Sequence, residues 1–512
     1  NNGVKIFAMG ANYIPEDQIV TRCNEVKTRK LLADCKAANY NFIRVWGGGY
    51  YPDEYFYDYC DENGIIVWQD FMFACSAYLL TEEFEETVRG EVRDNVIRLR
   101  NHPSLGLWCG NNEIESAWEY WGLPEDEEAK RDYLIIFEDI IPQVLKAYDP
   151  CENTFYWPSS PSSGGGFKDA SSNHAGDMHY WDVWHNFKPI EAFREFYYRF
   201  CSEYGFESLP DIKTCRAFAD ETKGDFDLCS PVMAAHQKCV QGNEKIMYYL
   251  AQMVRYPYDF KKLIYSSQLV QADCIRSNVE HMRRARGRCM GSAYWQVNDS
   301  NPVISWSSID YFGRWKGLHY YAKRFYAPCL ISCDDTHRKN PVLNISNERM
   351  TAFEGIVRWK LRNNKAEILQ SGEKSVNVPA LTAQNVLTID LSDELKNRTD
   401  PREKYLEYSI MENGKVLSFG TTLFVRPKEF TFLEPKITYG ISESEDKFAL
   451  TFCAENYAKS VCLSLKTADC VFSDNWFDIH GKEPVTIMID KASLSRKMTA
   501  QELSEELEIM HN

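Results

Sequence analysis

The chain has 512 residues, 44% of them hydrophobic and 14% aromatic, which is enough for about two to four packed domains. Its formal net charge of −16 at pH 7 argues against nucleic acid or an anionic membrane surface as the main partner, because either would favour basic patches. No run of about 18 apolar residues occurs, so no membrane-spanning segment is predicted. A neutral substrate fits this charge balance.

The chain carries 17 cysteines without a CxxC pair or the regular spacing of a disulfide framework. Such usage is typical of reduced, buried thiols in a reducing compartment. We expect a soluble protein of the cytoplasm or periplasm, and the sequence leaves the compartment and the oligomeric state open. The segment HAGDMHYWDVWH contains His174, His179 and His185, whose spacing matches no strong metal motif, so we predict no metal and no cofactor.

Eight β-rich runs alternate with helical patterns between residue 5 and about residue 300. A typical helical pattern places Phe84, Val88, Val92 and Val96 four residues apart. The alternation predicts an α/β fold, a (β/α)8 TIM barrel over residues 1–334. A doubly wound open sheet is the main alternative, but no glycine-rich phosphate loop follows the first run. In chain order the runs are KIFAMGAN, NFIRVWGG, GIIVWQDF, SLGLWCGNN, TFYWPSS, GDMHYW, RFCSEYG and MGSAYWQVND.

After about residue 335, apolar and polar residues alternate in short runs separated by turn signals. This pattern predicts two immunoglobulin-like β-sandwich domains, over residues 335–428 and 429–512. The turn signals include ENGK, which predicts a β-hairpin. The final segment, TAQELSEELEIMHN, predicts an amphipathic helical tail.

Two carboxylates end predicted strands on opposite sides of the barrel. Glu113 follows the fourth strand in LWCGNNE, and Glu203 follows the seventh in RFCSE. Strand ends converge on one face of such a barrel, so the two side chains face each other across its mouth. Glycosidic bond cleavage uses such a pair, one carboxyl protonated and the other ionised. The sequence leaves open whether their separation suits a covalent intermediate or an attacking water.

Residues near the other strand ends are candidate substrate contacts. Asn112 offers an amide to a sugar hydroxyl, and Arg44 carries a charge that keeps a neighbouring carboxylate ionised. His179 and Tyr180 end the sixth strand, and Trp295 lies near the end of the eighth as a platform for a sugar ring. The segment SSPSSGGGF predicts a flexible loop over the mouth rather than a phosphate-binding loop, because no clear helix start follows it.

Several motifs together resemble the β-mannosidases of glycoside hydrolase family 2. They are GNNE and SEYGFES, with RVWGGGYYPDEYFYDYCDENGIIVWQDFMFACSAY upstream and YWQVNDSNPVISWSSIDYFGRWKGLHYYAKRFY downstream. CVFSDNWFDIHGKEP is similar to the C-terminal sandwich of the same enzymes, so the resemblance covers nearly the whole chain.

The resemblance implies an exo-acting hydrolase that removes terminal non-reducing β-D-mannose by a retaining double displacement. It implies that Glu113 is the general acid/base and Glu203 the nucleophile. It also implies that Asn112 contacts the 2-hydroxyl, and that Trp46 and Trp121 line the subsite of the terminal mannose. The implied partner is a β-mannoside oligosaccharide or glycan.

Two alternatives stay open. The first is another exo-glycosidase of the family, namely a β-galactosidase, β-glucuronidase or exo-β-glucosaminidase, although the WGGGYY and GNNE contexts favour the β-mannosidases. The second is a non-catalytic, sugar-binding barrel. Members of the family carry two β-rich domains before the barrel, one of which lends residues to the sugar pocket. Because this chain starts at the first predicted barrel strand, we expect weak or absent activity from the chain alone.

Overall fold

The structure is a computed structural model that describes residues 3–122, 126–151 and 155–512. The chain forms two compact units. Unit 1 comprises Asn1–Phe206 and Ala285–Asn301, and unit 2 comprises Glu207–Arg284 and Pro302–Asn512. The domain boundaries expected at residues 334 and 428 stay predictions. Within the described ranges, none of the helices combines the length and apolar character needed to cross a membrane.

Unit 1 is built on an eight-stranded parallel sheet with the neighbour order β5-β4-β3-β2-β1-β8-β7-β6. Each predicted β-rich run contains one of its strands, so the predicted TIM-type fold is confirmed. Thr154, at the start of the fifth run, lies outside the described residues. The strands are β1 Ala8–Tyr13, β2 Phe42–Val45, β3 Ile66–Asp70, β4 Leu105–Cys109, β5 Tyr156–Trp157, β6 Met178–His179, β7 Cys201–Glu203 and β8 Gly291–Tyr294.

Helices connect these strands in the expected alternation. The spacing of apolar residues predicts the third helix correctly, since Val88, Val92 and Val96 are all buried on one face. Thr81 caps its start by accepting a hydrogen bond from Phe84 N at 3.1 Å. The helices of unit 1 are α1 Glu25–Ala37, α2 Glu54–Asn63, α3 Glu82–Leu99, α4 Ile114–Tyr120, α5 Glu127–Leu134, α6 Ile141–Tyr148 and α7 Asp182–His185.

Side chains inside the curled sheet lie in two layers. One layer is a buried apolar cluster of Ala8, Phe42, Trp68, Cys109 and Ala293. Side chains two residues further along a strand point to the same face. Polar groups stand there on several strands, so the strand pleat places a buried polar layer above the apolar one. Its members include Asn12, Arg44 and Asp70, all 0% exposed, and Glu203, which is 3% exposed.

The neighbour order of the sheet ends at β5 on one side and at β6 on the other, and a side chain joins these two edges. The Asp177 carboxylate, just before β6, accepts hydrogen bonds from Trp157 Nε1 at 2.8 Å and from Ser162 N at 3.0 Å. The Asp177 backbone N also donates to Ser162 O at 3.2 Å. A buried carboxylate therefore joins the segment after β5 to the start of β6.

Unit 2 contains helices and four antiparallel sheets. Its helices are α8 Ile212–Cys215, α9 Pro231–Ala235, α10 Gly242–Met253, α11 Phe260–Arg284, α12 Gly317–Phe325 and α13 Ala500–Glu506. Its strands are β9 Cys329–Asp334, β10 Val342–Asn347, β11 Phe353–Asn363, β12 Ile368–Val378, β13 Thr382–Thr388, β14 Lys404–Glu412, β15 Lys415–Leu423, β16 Thr438–Glu443, β17 Lys447–Cys453, β18 Tyr457–Leu465, β19 Phe477–His480, β20 Val485–Asp490 and β21 Leu507–Met510.

The sheets of unit 2 share apolar cores in pairs. The sheets β13-β10-β9 and β12-β11-β14-β15 contribute to one buried cluster that includes Ile345 and Leu361. The predicted hairpin joins β14 to β15, where Asn413 and Gly414 both have positive φ, as a type I′ turn requires. In the sheets β16-β17-β20 and β19-β18-β21, β17 and β19 contact each other through aromatic rings. This arrangement is typical of a β-sandwich.

The predicted helical tail is wrong in its last part. The helix α13 begins with a capping box between Thr499 and Glu502 and ends at Glu506. The next four residues form β21, which pairs antiparallel with β18, Leu507 opposite Leu465. The edge of β18 supplies backbone hydrogen bonds to these residues. A tertiary strand pairing that the sequence does not reveal therefore outweighs the local helical periodicity.

We expect Gly10→Ala to destabilise unit 1. A Cβ at Gly10 in β1 would lie 1.8 Å from the backbone carbonyl oxygen of Phe42 in β2, and a carbonyl in a paired strand has no room to move. The expected loss is at least about 1–3 kcal/mol, measured as a lower midpoint of urea unfolding.

Gly90→Ala is the matched control. Gly90 lies inside α3, and nothing stands within 4 Å of a Cβ added there, so we expect a gain of about 0.5–1 kcal/mol from helix propensity. Equal effects of the two substitutions would contradict the close strand approach.

Candidate active site

The two carboxylates reach the same space by different local structures. Glu203 is the last residue of β7, and its side chain is 4% exposed. Glu113 comes four residues after β4 and caps the start of α4, with a side chain that is 14% exposed. Its backbone lies in the left-handed region at φ 63°, which is uncommon for a residue other than glycine and recurs at functional sites. Glu113 is therefore the carboxylate nearer to solvent.

The carboxylates meet around one imidazole. A carboxylate oxygen from Glu113, one from Glu203 and a ring nitrogen of His179 all lie within 4.8 Å of one another. His179 Nδ1 is 2.8 Å from Glu113 Oε1 and 3.4 Å from Glu203 Oε2. The structure thus brings together the two residues that the sequence places at the ends of the fourth and seventh strands.

Arg44 holds Glu203 in place from the interior. Its Nη1 donates to Glu203 Oε1 at 2.6 Å and to Asn12 Oδ1 at 2.8 Å. Its Nη2 donates to Asp70 Oδ2 at 2.8 Å and to Asn112 Oδ1 at 2.7 Å. Arg44 pairs with a neighbouring carboxylate, as its charge predicts, but the structure corrects its place among the substrate contacts. The side chain is 0% exposed and its donors are directed at protein groups, so Arg44 orients the site from behind.

Burial and charge distribute the protons between the two carboxyls. Burial raises the pKa of Glu113 to about 7, against the lowering influence of Arg44. Burial also raises the pKa of Glu203 above its ordinary value, while Arg44 opposes the rise. Only Glu203 accepts a hydrogen bond from the guanidinium among these two carboxyls, so the negative charge falls on Glu203 and the proton on Glu113.

His179 is neutral in this setting. Burial lowers the pKa of its imidazole to about 4, and this effect of burial outweighs the opposing influence of the Glu203 carboxylate. A neutral imidazole has one N–H donor and one acceptor nitrogen.

Two indole rings pack against each other just after the ends of β2 and β8. Trp46, just after β2, and Trp295, just after β8, have ring centroids 5.0 Å apart at an interplanar angle of 73°. Gly48 makes room for this arrangement, because a Cβ there would lie 1.9 Å from the Trp46 ring. Asn112 turns its Oδ1 to Arg44, and its Nδ2 lies 3.3 Å from Cys75 Sγ.

One predicted contact, Tyr180, is not brought into this group. Tyr180 is 3% exposed and packs its ring against Phe193, Phe196 and Tyr198, because successive strand residues point to opposite faces and His179 takes the inner one. Trp121 follows the end of α4, about 12 Å along the helix axis from Glu113, and is 51% exposed. The structure therefore directs Tyr180 away from the carboxylate pair, whereas the contact of Trp121 with the terminal sugar stays a prediction.

Sequence reasoning missed several members of the site. Asn12 donates from Nδ2 to Ser202 O at 2.9 Å, and Asp70 pairs with Arg44. Both residues lie at predicted strand ends, and this position is the signal in the sequence that could have identified them. Cys75 was missed without any signal: its Sγ lies 3.7 Å from Glu113 Oε2, and proximity of a loop thiol is visible only in three dimensions.

The glycine-rich loop after β5 is tied down by glutamates. Gly166 N donates to Glu138 Oε1 at 2.6 Å, and Phe167 N donates to Glu115 Oε1 at 2.8 Å. Gly164 and Gly165 donate from their backbone nitrogens to Ser162 Oγ, each at 3.0 Å. The loop that was predicted as flexible thus has specific hydrogen-bond partners.

In the described part of the chain, two groups of side chains have metal-ligand spacing: Asp58, Asp61 and His102, and Glu113, His179 and Glu203. In the second group a cation would lie near the buried guanidinium of Arg44, which already pairs with Glu203. His174 and His185 belong to neither group. This arrangement suits proton exchange between a carboxylic acid and a carboxylate better than metal binding.

Comparisons with known proteins bear first on the C-terminal sheets. Residues 342–429 match the family model described as Mannosidase Ig/CBM-like domain, and residues 432–512 match one described as Ig-fold domain. These matches confirm the predicted immunoglobulin-like class of the C-terminal sheets.

Relatives extend the match over the whole chain. Beta-mannosidase B of Aspergillus clavatus is 32% identical over 511 residues, which cover 93% of this chain and 59% of the relative. Beta-mannosidase of Bos taurus is 34% identical over 359 residues, 64% of this chain and 40% of the relative. The crystal structure of beta-D-mannosidase from Dictyoglomus thermophilum matches with a TM-score of 0.90 and 30% identity, covering 100% of this chain and 60% of that one. The chain thus spans less than two thirds of the length of these relatives.

We expect Arg44→Met to cost about 3–5 kcal/mol of unfolding free energy, because Asp70 and Glu203 would stay buried without their cation. Urea unfolding followed by tryptophan fluorescence measures the loss. Arg98→Met is the control, since the Arg98 ion pair with Glu54 is 32% and 52% exposed and such pairs contribute about 0–1 kcal/mol. A similar loss in both variants would contradict the central role of the buried pair.

Proposed function

Because the chain belongs to glycoside hydrolase family 2, on its β-mannosidase branch, we propose that it provides the catalytic apparatus of a retaining exo-β-mannosidase. The proposed reaction hydrolyses terminal non-reducing β-D-mannose residues of an oligosaccharide or glycan. The proposal takes its substrate from the relatives that are named beta-mannosidases. It takes its mechanism from the site of this chain.

The separation of the carboxylates is the observation that carries the mechanism. Retaining glycosidases hold their two carboxyl groups about 5–5.5 Å apart, whereas inverting enzymes hold them about 6.5–9.5 Å apart to admit a water. Oxygens of Glu113 and Glu203 lie within 4.8 Å of each other, which supports direct attack by a carboxylate on the sugar.

In the first step, Glu203 attacks the anomeric carbon while Glu113 gives its proton to the departing glycosidic oxygen. Arg44 keeps Glu203 ionised and aimed, and the raised pKa of Glu113 keeps that residue protonated near neutral pH. In the second step, Glu113 takes a proton from water, which attacks the anomeric carbon and releases Glu203. The greater exposure of Glu113 suits a group that meets both the leaving group and water.

The sugar ring of the substrate has its own proposed contacts. Trp46 and Trp295 offer apolar faces to the C–H surface of the pyranose, as aromatic platforms do in carbohydrate sites. Arg44 aligns Asn112 by donating to its Oδ1, and we assign the Asn112 Nδ2, which lies 3.3 Å from Cys75 Sγ, as the donor to the 2-hydroxyl. Because mannose differs from glucose by its axial 2-hydroxyl, this contact would carry much of the selectivity.

Two alternatives have distinct consequences. Another exo-glycosidase of the family would use the same carboxylates on a sugar of different configuration. A non-catalytic sugar-binding barrel would form no covalent adduct. The first is tested by the choice of sugar and the second by covalent trapping.

We expect 2,4-dinitrophenyl 2-deoxy-2-fluoro-β-mannoside to label Glu203. The fluorine slows the second step, and the activated leaving group needs no acid, so a mannosyl ester accumulates on the nucleophile. Mass spectrometry of the tryptic peptide Phe200–Lys213 measures the adduct, and fragmentation separates Glu203 from Glu207.

The matched sugars and one variant complete the test. The 2-fluoro-glucoside and 2-fluoro-galactoside should label more slowly, and Glu203→Gln should not be labelled. A faster reaction with another sugar would replace the substrate assignment. Because weak activity is expected from the chain alone, labelling is also run on this chain joined to the N-terminal domains of a β-mannosidase relative. The absence of an adduct on Glu203 in both proteins would refute the retaining mechanism.

We expect kcat/KM to follow a bell-shaped pH profile. Activity should rise with pH as Glu203 ionises, at a pKa raised above its ordinary value, and fall above about pH 7 as Glu113 loses its proton. The two limbs belong to the coupled pair. Glu113→Gln should remove the basic limb and slow substrates with poor leaving groups about 10²–10⁴-fold.

Dinitrophenyl mannoside is the internal control, because its first step does not need the acid. Added azide should restore turnover of Glu113→Gln on this substrate by replacing water as the attacking group. An unchanged basic limb in the variant would show that another group is the acid.

A further inference from the structure

A buried chain of hydrogen bonds leads from Glu113 into the protein. Glu113 Oε1 lies 2.8 Å from His179 Nδ1, and His179 Nε2 lies 3.0 Å from Ser160 Oγ. Ser160 Oγ lies 2.7 Å from Asp177 Oδ2, and Asp177 is the last residue in this series of hydrogen bonds. Ser160 is 0% exposed, Asp177 3% and His179 8%. The path therefore runs through the interior, behind the reacting carboxylates.

The Asp177 carboxylate is surrounded by donors. Its Oδ1 accepts from Trp157 Nε1 at 2.8 Å and from Ser162 N at 3.0 Å. Its Oδ2 accepts from Ser160 Oγ at 2.7 Å and from Ser202 Oγ at 2.5 Å. Two donors occupy each carboxylate oxygen, so both oxygens act as acceptors. Each serine hydroxyl therefore points its single hydrogen at Asp177.

This direction fixes the imidazole. Because the hydrogen of Ser160 points at Asp177, its oxygen can only accept from His179 Nε2, which must carry the imidazole proton. In a neutral ring, Nδ1 then has a lone pair, and this lone pair faces Glu113 Oε1. An acceptor nitrogen at 2.8 Å favours the protonated form of a carboxyl and disfavours its ionised form.

We propose that Asp177 and Ser160 are positioning residues that hold His179 as the Nε2–H tautomer, so that His179 Nδ1 accepts a hydrogen bond from protonated Glu113. The catalytic meaning of this inference rests on the proposed function, since it explains how the acid keeps its proton beside an ionised nucleophile. His179 retains its own proton in both steps. The proton that Glu113 gives to the leaving oxygen returns from the attacking water.

Other groups that face His179 and Glu113 do not replace this arrangement. Glu203, from β7, favours a protonated imidazole, whereas Arg44, from β2, opposes it. Cys75 and Asn112 contact Glu113 or its surroundings and favour its ionised form. Among these groups, His179 is the partner to which protonated Glu113 can donate a hydrogen bond.

The isosteric variant Asp177→Asn reverses the chain of hydrogen bonds. Trp157 Nε1 and Ser162 N are both donors, so the amide must turn its oxygen to them and its NH2 to the serines. Ser160 would then accept from the amide and donate to His179 Nε2. The imidazole would switch to the Nδ1–H tautomer and donate to ionised Glu113.

The test is the ¹⁵N spectrum of the chain labelled selectively at its 10 histidines, with His179→Gln used to assign the His179 signals. The spectrum distinguishes Nε2–H from Nδ1–H and does not require turnover. We expect Nε2–H in the natural chain and Nδ1–H in Asp177→Asn. Nδ1–H in the natural chain, or Nε2–H retained in the variant, would overturn the proposal.

Ser160→Ala provides a second variant without a change of charge. It removes the acceptor for Nε2–H, so we expect a mixture of tautomers. Ser159→Ala is the matched control, because Ser159 is a buried neighbour whose hydroxyl donates to Asn111 Oδ1 at 2.7 Å and takes no part in the chain of bonds. A pure Nε2–H signal in Ser160→Ala would overturn the role of Ser160.

The pH at which Glu113 titrates is the functional readout. The His179 ¹⁵N shifts of the resting chain should move with Glu113 ionisation, and this midpoint should fall by about one pH unit in Asp177→Asn and Ser160→Ala but not in Ser159→Ala. An unchanged midpoint in both variants would overturn the proposal. If 2-fluoro-mannoside labelling fails but the tautomers and the titration midpoints change as expected, the result counts against the proposed function alone.

Discussion

The site depends on one buried cation. Arg44 is fully buried and pairs with two carboxylates, Asp70 and Glu203. Removing a guanidinium and two carboxylates from water costs several kcal/mol per ion, and only short, well-aligned hydrogen bonds compensate for it. The planar guanidinium also fixes the directions of its hydrogen bonds, and one of these bonds goes to Asn112. The position of the proposed nucleophile and that of the proposed sugar contact are thus fixed by the same group.

The strand pleat explains why these polar groups can be buried together. Phe42 and Arg44 point to the same interior face of β2, and Trp68 and Asp70 to that of β3. The apolar layer excludes water below, and the parallel register aligns polar side chains of neighbouring strands above it. No single strand would tolerate such a side chain in its interior, because an unpaired buried charge is too costly. The polar layer is therefore stable only when its charged groups are all present and paired.

The same set separates the protonation states of two identical side chains. Burial acts on both glutamates, whereas the hydrogen bond from Arg44 reaches only Glu203. On the other side, Glu113 meets a neutral imidazole that is oriented from behind by Ser160 and Asp177. A cation on one carboxyl and an acceptor nitrogen on the other drive their pKa values apart. Asp177 also joins the edges of the sheet, so one residue links the structure of unit 1 to the state of its acid.

The sequence by itself determined the eight strands, the C-terminal sandwiches and the pair Glu113 and Glu203, because period-two patterns and polar strand ends are local signals. It could not determine which neighbours share the pair's space. The prediction that Tyr180 contacts the substrate is wrong because a shift of one residue along a strand turns the side chain to the opposite face. The exact limits of the strand, which decide the face, are not visible in the local sequence. Cys75, Ser160 and Asp177 lie on loops and strand edges whose approach is set by the closing of the sheet. Tertiary structure likewise decided the end of the chain, where pairing with β18 replaced helix. Long-range contacts determine these features, since burial and hydrogen bonding between distant segments outweigh local preference.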